Sequence, residues 1–234
     1  MSRPARSVKS LLSVNSRVPP VASRPVTGRP EVRSGSKFSD HLNGVFPGLQ
    51  FPSELARRIL THASHQTATN GHNASLSFIG RRVLDSYLHL FLTSSSALTP
   101  EHDLENIAYH TLHTYALGEH VGSKWGLGRT LRWVPAIAPE VREQVSDSPD
   151  LRKVGLYKVQ GDAVTAVMGG IFSQFGGSVA HRVFHTRLLP CMLVKGALHE
   201  AFHRDALAVC DRMGGPEGRL VKNSSTKNVA DSAY

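Results

Sequence analysis

Between positions 76 and 90 the apolar residues Leu76, Ile79, Val83, Tyr87 and Leu90 return at steps of three and four. Only a helix with about 3.6 residues per turn gathers that spacing on one face. The period recurs in Leu104, Ile107, Ala108, Leu112 and Tyr115, and again in Val164, Val167, Met168, Ile171 and Phe175. Alternating β-branched runs are few, so an all-α fold is expected. At 234 residues, 40% of them hydrophobic, such a chain buries a core without a metal or disulfide staple. Cys191 and Cys210 are too few for a disulfide scaffold or a four-cysteine zinc module. That usage fits a reducing or organellar compartment better than secretion. No apolar run reaches the ~18 residues a membrane-spanning helix needs.

Local signals set the expected boundaries. Residues 41–53 are turn-rich and end in Ser53, an N-cap for a helix over 54–64 with Leu55 and Ile59 on one face. A polar loop follows at 66–70. Thr99-Pro100-Glu101 reads as the start of a helix that stops at Gly118. Gly122, Gly126, Gly128, Pro135, Pro139 and Pro149 break 119–151. Helix returns over 157–175, again through Val179, Val183, Phe184 and Leu188 to Pro190, and last over 192–213.

The net charge of +9 is unevenly placed. Residues 1–40 hold eight Lys/Arg against two acids, and the remaining residues carry a surplus of only three. The body is therefore not a strongly basic nucleic-acid-binding domain. Residues 1–30 contain no acid while Arg, Ser, Val and Pro recur. This is the composition of a mitochondrial transit peptide, the alternative being a retained disordered basic arm touching RNA phosphates. The expected organisation is a basic leader at 1–40, a helical domain at 41–213 and a polar disordered tail at 214–234.

Four blocks in one order give a resemblance. His72-Asn73-Ala74-Ser75-Leu76-Ser77-Phe78-Ile79-Gly80-Arg81-Arg82-Val83-Leu84 resembles the signature helix of the ribonuclease III family. Upstream, Ile59-Leu60-Thr61-His62-Ala63-Ser64 is similar to that family's leucine-threonine-histidine stretch, and downstream Gly126-Leu127-Gly128 to its glycine-leucine-glycine segment. The block from Lys158 to Phe172, containing Gly161-Asp162-Ala163-Val164-Thr165, looks like the second acidic helix. The resemblance implies the ribonuclease III-like helical endonuclease fold.

That family cleaves double-stranded RNA with four carboxylates that gather divalent metal ions, hard cations that require oxygen ligands. Carried across, the four positions fall on Ser77, Arg81, Asp162 and Thr165, and a further glutamate position on Ala74. One carboxylate of four remains, so the resemblance implies a fold without catalytic residues, metal or cofactor. Arg81 is expected to pair with Asp162 in place of the metal and to lower its pKa. Taken alone, Asp162 also reads as a favourable charge near a helix N-terminus, Ser77 and Thr165 as helix-surface or packing residues, and Arg81 and Arg82 as a solvated face or as contacts to RNA phosphate. Leu76, Phe78 and Ile79 cannot all turn inward, since neighbours on a helix lie ~100° apart.

His199-Glu200-Ala201-Phe202-His203 fits the zinc-protease pattern H-E-x-x-H. With 13 histidines in the chain the pattern has modest weight. No histidine follows His203 as a third ligand, and Leu198, Phe202 and Ala206 read as a packing stripe. A dead ribonuclease III-like domain with an import-like leader resembles the ribonuclease III-like proteins of the mitochondrial large ribosomal subunit, particularly the fungal kind without an RNA-binding domain. The 44 residues after Pro190 are too few for such a domain. The implied partners are a second ribonuclease III-like mitochondrial ribosomal protein, as a heterodimer, and large-subunit ribosomal RNA, in the mitochondrial matrix. The alternative is a mitochondrial RNA-processing endonuclease or its inactive dimer partner.

Overall fold

Helical periodicity is realised throughout. A computed structural model describes residues 32–135 and 155–221. The leader up to residue 31, the prolines at 139 and 149 and the tail from 222 lie outside the described residues. Those described belong to one unit and contain no strand, only an isolated parallel bridge between Thr61 and Arg132. The helices are α1 (Val32–Val45), α2 (Ser53–Ile59), α3 (Ala74–Ser94), α4 (Leu104–Thr111), α5 (Thr114–Ala116), α6 (Leu156–Phe175), α7 (Gly177–Val183) and α8 (His203–Arg212). No helix among the described residues is long and apolar enough to cross a membrane.

The centre is the crossing of α3 and α6. A Cβ at Gly80 would land on the Thr165 carbonyl oxygen, and one at Gly169 on the Leu76 carbonyl oxygen. Glycine at both positions lets the two backbones touch, which fixes where the helices cross. Around that contact Val164, Val167, Met168 and Ile171 of α6 and Leu76, Leu84 and Leu88 of α3 are buried in one core.

Several boundaries differ from those read in sequence. Residues 41–45 belong to α1, which runs across the division drawn at residue 40 and buries Phe38 and Leu42. Ser53 is the first helical residue and makes no cap bond. α2 stops at Ile59 instead of residue 64, because Leu60 and His62 exchange backbone bonds with Arg132 and pull the chain extended. The 66–70 loop is a 3₁₀ turn capped by the His65 side chain. Asp103, not Thr99-Pro100, starts α4 by accepting from Asn106 N at 3.1 Å. That helix breaks at Leu112, and α5 runs on into a π turn, Leu117–Gly122. α7 continues through a π turn, Phe184–Leu188, and a 3₁₀ turn, Leu189–Met192, and the last helix is α-helical only over α8.

Ile79 and Leu90 lie on the open side of α3, at 36% and 60% exposure. Residues 214–221, read as the start of a polar tail, are tied to the body. Arg187 Nη2 donates to the Gly218 carbonyl at 3.2 Å, and Leu220 is buried.

Candidate functional site

The crossing at Gly80 and Gly169 places Ser77 and Arg81 of α3 opposite Asp162 and Thr165 of α6. The four positions form two cross-helix pairs. Ser77 Oγ lies 2.7 Å from Thr165 Oγ1, which itself donates to the Asp162 carbonyl at 2.9 Å. The Ser77 hydroxyl is therefore the donor to Thr165. Both residues are buried, so they are interior contacts and not helix-surface residues.

Arg81 and Asp162 form the second pair, with Nη2 3.3 Å from Oδ1. Nη1 and Nη2 also donate to Thr114 Oγ1 at 3.2 and 3.3 Å, which fixes the guanidinium from the α5 side. The Arg81 side chain is 48% exposed and that of Asp162 24%. Asp162 lies beyond the first turn of α6, so the helix-terminus account of it fails. Its pKa moves opposite to the expected direction. Burial pushes the carboxyl up, and the attraction of Arg81, then His62 and Lys158, opposes this without overcoming it. Ala74 stands exposed at the first position of α3.

His62 and Lys158 act on this carboxyl although sequence reading assigned them no role. Burial lowers the His62 pKa, Asp162 opposes, and Lys158 and His72 add to the lowering. The His62 ring accepts at Nδ1 from Ser64 N at 3.1 Å, which orients it. Both residues sit in the quoted blocks, but only the crossing of α3 and α6 with the 60–62 bridge brings them to one place.

A divalent metal is not fitted by these residues. One carboxylate faces a guanidinium where the family pattern needs four carboxylates, and a fixed cation there repels a second one. Among the described residues no group of three or more His, Cys, Asp or Glu is placed to hold a metal. The H-E-x-x-H segment is no exception. His199 caps a 3₁₀ turn by accepting from Ala201 N, and His203, the first residue of α8, directs Nε2 at the Leu198 carbonyl 2.9 Å away.

Beside the pair lies a groove of about 810 Å³ between α3 and α4, lined by Phe78, Arg82, Asp85, Glu105, Tyr109 and His113 among others. Phe78 is 60% exposed and Tyr109 65%, while Leu76 is buried. The Arg82 guanidinium lies 4.4 Å from the Phe78 ring centroid. The apolar neighbours of the signature helix thus divide as helix geometry requires.

The family described as Ribonuclease-III-like matches residues 52–192. Two similar solved structures are of the nuclease domain of ribonuclease III from Campylobacter jejuni, one at 2.2 Å resolution and one described for structural flexibility in the region involved in dimer formation. Each is 19% identical with a TM-score of 0.48 and covers 62% of this chain, against 88% and 91% of those chains. No curated protein matches.

Proposed function

The chain belongs to the ribonuclease-III-like family, and from that premise we propose that it is a member without nuclease activity, built into the mitochondrial large ribosomal subunit. The observation that carries the reading is the Arg81–Asp162 pair at 3.3 Å. A guanidinium occupies the place where the resemblance calls for a metal-binding carboxylate, and the Ser77–Thr165 hydroxyl bond closes the other two positions. The exposed face of α3, with Phe78 and Ile79, suits a second ribonuclease III-like protein as partner, and ribosomal RNA is the nucleic acid contacted. The acid-free leader supports import into the matrix.

Two measurements test this. Purified protein should leave double-stranded RNA intact in millimolar Mg²⁺ or Mn²⁺, whereas cleavage abolished by Asp162→Asn would return the chain to the processing-nuclease reading. Tagged protein should co-sediment with large subunits on a mitochondrial ribosome gradient. Its absence from those fractions would remove the ribosomal role.

A further inference from the structure

We propose that the face around Asp162 binds the phosphate backbone of RNA directly through Arg81 and Lys158, with no divalent cation between protein and phosphate. The inference rests on the RNA-related reading above and specifies the chemistry of that contact. An acidic site needs metal ions to bring polyanionic RNA against carboxylates. Here the protein supplies the positive charge itself. Lys158 is exposed and stands four residues before Asp162 on α6, hence on the same helix face. Arg81 has five N–H donors, of which the bonds to Thr114 and Asp162 use three. The Arg81 side chain is 48% exposed, so its head is open to solvent.

The patch continues beyond these two. His62 and Lys158 both act on Asp162, and because burial lowers the His62 pKa the lysine, not the histidine, carries the added positive charge. Further along, Arg58 Nη2 donates to Ser75 Oγ at 3.2 Å beside the start of α3. Asp162 balances one of these charges. Arg81 also lines the groove between α3 and α4, where Arg82 stands with the acids Asp85 and Glu105. A guanidinium held in place offers its two remaining, separate N–H donors to phosphodiester oxygens, while the lysine adds a mobile point charge. Such spaced cations suit a ligand whose negative charges repeat along a backbone.

Fluorescence anisotropy of the full chain with a labelled RNA duplex tests the proposal, in EDTA and in Mg²⁺ over a range of salt. Affinity should be equal in the two buffers within about twofold. Lys158→Gln, an exposed change that leaves the fold alone, should weaken binding about threefold to tenfold and reduce the salt slope by about one. Arg81→Gln should do the same, and Arg204→Gln on α8 should do neither. A requirement for Mg²⁺, or an unchanged slope in Lys158→Gln, overturns the proposal. Polyglutamate competing as well as RNA overturns it too, since the patch would then be an acidic-protein site. Loss of RNA binding with ribosome co-sedimentation intact defeats this inference alone. The converse defeats only the ribosomal reading.

Discussion

Ser77 and Thr165 show how a site for charge becomes a site for packing. The Thr165 hydroxyl has two partners, the Ser77 hydroxyl and the Asp162 carbonyl, whereas Ser77 depends on Thr165 alone for its hydroxyl proton. Removing Ser77 leaves Thr165 satisfied. Removing Thr165 leaves a buried donor without a partner, which costs roughly 1–3 kcal/mol. In urea unfolding, Thr165→Val should therefore cost more than Ser77→Ala, and the double variant should lie close to Ser77→Ala. Equal single losses that simply add would refute this asymmetry. The juxtaposition of the four positions was legible in the sequence, because they fall in two motif blocks of known order. The direction of the Asp162 shift was not legible. It turns on how deeply the carboxyl is buried, and a list of charged neighbours does not contain that quantity.

At the level of helices, α3 and α6 were readable almost to their ends, since a long apolar period and a terminal Gly176 leave few alternatives. The short elements were not. α2 ends early because backbone groups of 60–62 find partners seventy residues away on Arg132, and no local pattern announces a partner at that distance. The π turns after α5 and α7 are equally invisible to a 3.6-residue template. The α3–α6 contact predicts its own weak point. Gly80→Ala sets a methyl group against backbone that cannot turn aside, so the helices must separate. A loss of about 3 kcal/mol or more is expected in chemical denaturation, or failure to recover soluble protein. Gly44→Ala in α1 is the matched control, with nothing within 4 Å of the added Cβ. It should raise stability by about 0.5–1 kcal/mol, as replacing an exposed helical glycine does. Tolerance of Gly80→Ala would mean the two helices are not in backbone contact.

The molecule as a whole should be sensitive to mild acid, and the buried histidines say where. His185 is 3% exposed, packed against Phe91, Phe184 and His181, and its Nδ1 has no hydrogen-bond partner. Burial, with His181 adding, lowers its pKa to about 4. His41, His62 and His181 are also lowered, burial being the largest cause for each. Between about pH 6.5 and 4 the unfolded chain therefore binds protons that the folded chain refuses, so stability falls as pH falls through that window. His185 alone contributes up to about 1.4 kcal/mol per pH unit there. Asp162 acts in the opposite sense. Its raised pKa means the folded state takes up a proton first, which returns some stability as pH drops toward its unfolded value. Replacing His185 with Leu removes the largest of the histidine contributions and also the orphaned Nδ1. That variant should match the parent at pH 7 within about 1 kcal/mol, and lose less than the parent between pH 6.5 and 4.5. Unfolding curves collected across that range for both proteins decide it. Parallel pH profiles would show that His185 is not held neutral by the core.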